Sequence, residues 1–479
     1  MSVTRAITEF GVNTRYEDLP EEVVHEVKRL LLDSVGCALA GHYVDKGRIA
    51  VELAEQLKGP PESTIIGGGK VSTTNSAFAN GELINALDFD PLSWPTGHIS
   101  PYVIPAALAL AERVSGSGRL LILSIALSHE ISTRLGKALS TLRQPIQGED
   151  GEITYQPSSA FGYTSATIGG AIGAGKILNL DMEKMLNAVG IAGYNTPPAT
   201  GVKFTKTVPM FMVKYGSAGW ASQAEVTAAL LAEMGYTGDT TVLDGDYGFW
   251  RFYASQVWEP EKILSQLGQT WSFPGLTEYK IYPFCGIMRK GIDGFIKIID
   301  ENNLSPDEID EVKVFMTEFH ISQPIWYTRE IESCHEAQFS IPYVYAAAAH
   351  RLEYGVEWQE PAAIRNKELL SFMDRVRLLP FPKFDQVMAK VGGKEIPSKS
   401  QPTIIEVAAR GKTFREEVAF AKGANVPESV RLSDAELGKK FSHNASRSLT
   451  ESQIQEVIEL TFKLDKLENV RQLTKPLEK

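Results

Sequence analysis

Three stretches of this chain hold residues whose types and spacing could do chemistry. The densest runs from Asn80-Gly81 to Asp88-Phe89-Asp90-Pro91 and closes on Thr96-Gly97-His98. An aspartate within reach of a histidine fixes the imidazole tautomer and tunes its basicity, as general acid or base catalysis requires. Helical patterning carries the chain to Asp88. Prolines at 91 and 95 then force a loop that presents His98 just before another helix opens at Pro101. Acids at a helix C-terminus oppose the helix dipole, and that cost favours a functional reason for them. By spacing alone, an ordinary polar loop with a surface histidine is the commoner account.

The other two stretches carry lysines. Lys214 lies in Met212-Val213-Lys214-Tyr215-Gly216-Ser217, directly before a long helix, and helix N-termini attract anions. Lys280 lies in Tyr279-Lys280-Ile281-Tyr282-Pro283, where the character of the chain changes, and clefts between domains often hold ligands. Each alone is a weak signal, because a solvated surface lysine is the usual state. Gly170 to Lys176 imitates a phosphate loop, but no Ser or Thr follows the lysine and no strand precedes it, so close helix packing explains its glycines better. Cys37, Cys285 and Cys334 form no CxxC pair, and Cys334-His335-Glu336 is too isolated for a metal site. No metal ligand set is expected.

These residues need elements to position them. The periodicity predicts helices from the acidic start at Asp18 to Gly41, then over 76–87, 101–114, 120–139, 165–178, 182–192 and 217–234. Alanine and glycine crowd several of them, which predicts a compact bundle. From about residue 275 the pattern changes. Val312 to Thr317 alternates like a strand, and 403–409 and 414–420 read as a hairpin turning at Arg410-Gly411-Lys412. Helices are expected at 340–349 and 366–376, and again from Ser433 to the end, returning to the first bundle.

A chain of 479 residues exceeds one ordinary core, so at least two domains are expected. Its net charge of −11 argues against a nucleic-acid surface. No apolar run approaches the roughly 18–20 residues needed to span a bilayer, and the N-terminus does not read as a signal peptide. A cytoplasmic protein without membrane or nucleic-acid partners is expected.

Taken together, the segments resemble the MmgE/PrpD superfamily of 2-methylcitrate dehydratases, cis-aconitate decarboxylases and iminodisuccinate epimerases. Asn80-Gly81, Asp88-Phe89-Asp90 and His98 match its NG and DFDD–His pattern. Lys214 precedes a small-residue helix ending at Gly235-Tyr236-Thr237-Gly238. Lys280-Ile281-Tyr282-Pro283 matches a K-x-Y-P segment, and Gln338-Phe339-Ser340-Ile341-Pro342-Tyr343 a K/Q-F-S-x-P-Y segment. The resemblance covers nearly the whole chain. It implies a mainly α fold: a large helical bundle domain from residues 1–272 and 402–479, and a smaller α+β lid domain from 273–401, with the second boundary left open within the 403–425 hairpin. It implies a homodimer, no cofactor, and an active site between the domains. Asp88 and His98 match positions tied to proton transfer, and Lys214 and Lys280 match positions that bind substrate carboxylates. Asp90, Tyr163 and His320 complete the expected substrate-binding set.

Four departures stand out. Pro91 replaces the last aspartate of DFDD, Leu92 replaces a threonine, Asn85 replaces an upstream histidine, and a further histidine is lost near Gly162-Tyr163. The chemistry implied is proton movement next to a carboxylate of a small carboxylic acid, with Lys214 and Lys280 anchoring, His98 carrying the proton and Asp88 orienting it. A hydro-lyase is expected first, with a decarboxylase or an epimerase open on the same residues. A catalytically degenerate ligand-binding protein is the alternative of another class.

Overall fold

A computed structural model describes residues 2–94, 96–141, 143–147, 153–381 and 403–479. Pro95 lies outside these residues, as does the end of the expected lid beyond 381.

Small residues decide how the helices meet. Among the described residues, nine helices of more than ten residues build the first part: α1 (Val3–Asn13), α2 (Glu21–Gly41), α3 (Asp45–Leu57), α4 (Thr73–Asn85), α5 (Ser100–Arg113), α6 (Gly118–Leu139), α7 (Ala166–Ile177), α8 (Met182–Asn195) and α9 (Ala218–Glu233). The glycines of α7 bring its backbone against its neighbours. A Cβ at Gly169 would lie 2.3 Å from Ser132 of α6, and one at Gly170 only 1.9 Å from Glu225 of α9. The phosphate-loop imitation is therefore a packing helix, and Lys176 ends on the Val12 carbonyl. α1 and α3 were not anticipated. The others fall where the periodicity puts them, within a few residues.

Val23, Val27, Leu30, Leu31 and Val35 of α2 are fully buried at the centre of the bundle. The closing helices Asp434–Ala445 and Glu451–Phe462 start on capping boxes, Ser433 with Glu436 and Thr450 with Gln453. They return to α2 as expected, and Phe441 packs on Gly36.

The second core is built on a four-stranded sheet ordered Lys412–Val418, Thr403–Ala409, Ile309–Met316, Val376–Pro380. The first two pairings are antiparallel and the last is parallel. Helices Arg289–Glu301 and Ile341–Ala349 cover one face, where Phe295, Ile298 and Val344 bury against Val312, Val314 and Ile405. The second domain boundary is expected at 402 or within the 403–425 hairpin. The hairpin 403–418 hydrogen-bonds to Ile309–Met316, so it belongs to this sheet and not to the helical part. Its alternating pattern matches a half-covered sheet and leaves no face for a helix bundle.

One short ladder joins the two parts at the chemistry. Leu92 pairs with Glu278 and Ser93 with Thr277. That register ties the loop leading to His98 to the segment leading to Lys280.

Candidate active site

α4 ends at Asn85, and the turn that follows places Asp88 with a positive φ of 54°. Aspartate tolerates this left-handed geometry better than most residues. Asp88 is 1% exposed and gathers two cations. Lys280 Nζ lies 2.8 Å from Oδ2 and 2.6 Å from the Asp88 carbonyl, while Lys214 Nζ lies 3.4 Å from Oδ1. The Tyr215 hydroxyl donates to Oδ1 at 2.5 Å. Burial pushes the Asp88 carboxyl up, but Lys280, Lys214 and His98 together outweigh it and hold it well below the usual carboxylate range.

The two lysines are used differently. Lys214 Nζ donates to the Asn85 carbonyl (2.7 Å), to Asp88 and to Gln338 Oε1 (3.1 Å), which engages all three of its protons. Among the described residues, Lys280 makes two bonds, both to Asp88, which leaves one proton for another acceptor. Burial lowers the Lys214 ammonium to about 8 against the pull of Asp88. The N-terminus of α9 is not open to a ligand. Glu82 already occupies it, accepting from Ser217 Oγ at 2.7 Å and Gly219 N at 2.8 Å.

His98, 3% exposed, is oriented by Asp90 and not by Asp88. Its Nδ1 sits 2.5 Å from Asp90 Oδ2, and its Nε2 faces Asp88 Oδ1 at 3.9 Å. Tyr215 stacks on the ring at 4.7 Å and Tyr163 leans on it at 5.3 Å. Gly97 makes room for Tyr163: a Cβ there would lie 2.0 Å from that ring, and its φ is +92°. Burial, the largest influence, moves the imidazole below its ordinary value despite Asp90. The ring is therefore a neutral base near pH 7 with Nε2 turned toward Asp88.

Asp88, Asp90, His98, Tyr163, Lys214 and Lys280 thus come together from four distant segments. His320 does not share these contacts; it bonds Thr317 Oγ1 through Nδ1 (2.8 Å) and stands edge-on to Trp326. Of the six clustered residues, Tyr163 is the one that is partly exposed.

Several participants escaped sequence reasoning. Tyr215 adjoins Lys214 but reads as an ordinary aromatic. Gln338 sits in a quoted motif, yet only the fold shows it bridging Lys214, the Ala86 carbonyl and Gln359. Asn85, read as a lost histidine, bonds Tyr215, Asp90, Lys46 and Lys214 at once. Among the described residues, no group of three or more His, Cys, Asp or Glu is placed to hold a metal ion, and no helix is long and apolar enough to cross a membrane.

Cis-aconitate decarboxylase of Mus musculus is 25% identical over 500 residues, covering 100% of this chain and 93% of its own. The Homo sapiens cis-aconitate decarboxylase is 25% identical over 477 residues, 95% of this chain and 90% of its own. That of Aspergillus terreus (strain NIH 2624 / FGSC A1156) is 24% identical over 505 residues, 98% of this chain and 95% of its own. The MmgE/PrpD N-terminal domain matches residues 5–261 and the MmgE/PrpD C-terminal domain residues 282–464, so the chain belongs to the MmgE/PrpD family.

Proposed function

We propose that this protein is a lyase acting on a small carboxylic acid through proton transfer at the carbon next to a carboxylate. The observation that carries the reading is His98: Asp90 holds its Nδ1, and its Nε2 faces a buried dilysine–aspartate cluster. Such a carbon is a weak acid, so the enolate-like charge formed on losing its proton needs a fixed positive environment. Lys280, with its uncommitted proton, anchors and polarises the substrate carboxylate. Lys214 holds Asp88 and the Asn85 carbonyl in place. His98 Nε2 takes or returns the carbon proton, and Asp90 stabilises the imidazolium that forms.

Loss of a β-hydroxyl then gives dehydration, with the Tyr163 hydroxyl at hand as the proton donor to the leaving oxygen. Loss of a carboxylate as CO₂ gives decarboxylation, for which His98 must first take up a proton, so that the imidazolium can pass its Nε2 proton to the carbon left behind. Dehydration is the first reading, because the site offers a second hydroxyl acid beside the imidazole. Decarboxylation is the second, favoured by the activity for which the three relatives are named. Retention of Asp88, His98, Lys214 and Lys280 in one cluster speaks against a degenerate binder. The same reading takes the protein to be a cytoplasmic homodimer.

Proton NMR in D₂O with a panel of mono-, di- and tricarboxylic acids tests the reading. Conversion or deuterium wash-in of one acid is expected, reduced roughly 10²–10⁴-fold in His98→Gln. Equal rates in wild type and a folded His98→Gln would remove His98 from the mechanism.

A further inference from the structure

Asn85 stands where the family resemblance leads one to expect a histidine, and its surroundings give it a definite task. Lys46, in the first turn of α3 and 3% exposed, puts its Nζ 2.9 Å from Asn85 Oδ1 and 3.2 Å from Glu82 Oε2. An ammonium can only donate, so the amide atom facing Lys46 must be the oxygen. The amide nitrogen is thereby turned the other way, 2.7 Å from the Tyr215 hydroxyl and 3.4 Å from Asp90 Oδ1.

The rest of the chain of bonds then has one direction. The Tyr215 oxygen accepts from Asn85, so its single proton goes to Asp88 Oδ1. Asp90 accepts from Asn85 on Oδ1 and faces His98 Nδ1 with Oδ2, which makes Nδ1 the protonated nitrogen. Glu82 closes the far end: it neutralises Lys46 and is itself held by Ser217 and Gly219. All of these groups are buried, so no bulk water competes for the bonds.

We propose that Asn85, polarised by Lys46, is a positioning residue that locks His98 in the Nδ1–H tautomer and leaves Nε2 as the proton-accepting nitrogen. Its catalytic consequence rests on the proposed lyase reading, but the tautomer is a property of the protein without substrate. The chain therefore replaces a second histidine with an amide whose direction is set by a lysine from another helix.

The test is long-range 1H–15N correlation NMR of the imidazoles in 15N-histidine-labelled protein without substrate. The His98 signal is assigned by its loss in His98→Gln. Wild type is expected to show pyrrole-type Nδ1 and pyridine-type Nε2 at His98. Asn85→Leu, which removes the amide and leaves the Lys46–Glu82 pair intact, is expected to shift His98 into a mixture containing the Nε2–H form. Asn85→Gln, which restores an amide, is expected to recover part of the wild-type tautomer. On an acid found to turn over, kcat in Asn85→Leu should fall roughly tenfold or more with KM little changed. A wild-type His98 already protonated on Nε2 would overturn the proposal whether or not any variant folds. So would an unchanged tautomer in folded Asn85→Leu. A shifted tautomer in a protein that turns over no acid would leave the positioning role standing and remove the lyase reading alone.

Discussion

Two fully buried carboxylates in this molecule meet opposite fates. Asp88, in the turn after α4, is surrounded by Lys280, Lys214, Tyr215 and His98 and is held ionised. Glu225, on the face of α9 that packs against Gly170 of α7, has neither carboxyl oxygen hydrogen-bonded among the described residues. Burial alone pushes its carboxyl well above the ordinary value, so it is carried neutral. Equal burial gives opposite charge because the interior rewards a charge only where partners have been placed in advance. The turn after α4 uses hydrogen bonds to keep a charge, whereas the helix interface tolerates an acid by leaving it protonated.

Removing a partner from Asp88 is expected to have the largest effect. Lys280→Met should cost about 3–5 kcal/mol in urea unfolding, as breaking a buried pair usually does. Adding Asp88→Asn should recover much of that stability without recovering turnover. If Lys280→Met is no less stable than wild type, Asp88 is not held ionised by Lys280.

Glu225 should respond the other way. Glu225→Met, which removes an unsatisfied polar group, should raise stability by about 1–3 kcal/mol. The sign with pH follows from its raised value in the folded state. Above the ordinary glutamate range the unfolded chain releases this proton while the folded chain keeps it, so wild-type stability falls as pH rises toward the folded-state value. The advantage of Glu225→Met should therefore widen on going from pH 5 to pH 8, and unfolding curves at the two pH values would show it. A constant difference would mean that Glu225 has its ordinary proton affinity.

Gly170→Ala should destabilise by about 1–3 kcal/mol, because its Cβ would meet the Glu225 carboxyl. Glu225→Ala in the same chain should relieve most of that cost, and a double-mutant cycle measures the coupling. Strict additivity would show that the two helices do not meet at this pair.

The smallest expected effect is a pH dependence of the charged cluster. Lys214, brought down by burial to about 8, loses its proton as pH rises through that value, and Asp88 then loses one of its two cations. Turnover on an identified acid should decline on the alkaline side near pH 8, and Lys214→Arg should move that limb upward. A flat profile to pH 9.5 would place the Lys214 proton more firmly than the geometry implies.

Much of this was legible in advance. Helical periodicity is local, so α2 and the helices from α4 to α9 could be read from apolar spacing, as could the strand beginning near Val312. Six candidate site residues share one cluster because their motifs sit at helix ends and at the seam near residue 280. What the periodicity missed was weaker or less local. α1 and α3 were overlooked, and the domain boundary could be placed no more closely than within the 403–425 hairpin, because strand partners are chosen across the chain and not along it.

The chain itself determined which chemical groups are present and roughly which turns carry them: aspartates and a histidine around Pro91, and lysines before α9 and after Tyr279. Only the tertiary structure decided their partners. Asp90 rather than Asp88 holds His98, Lys214 is fully engaged while Lys280 is not, and Asn85 is a hub rather than a loss. The physical reason is range. Asn85 and Tyr215 are 130 positions apart and Asp88 and Lys280 are 192 apart, yet each pair meets within hydrogen-bonding distance. A shift of about an ångström would exchange one partner for another, and packing sets distances on that scale where spacing along the chain cannot.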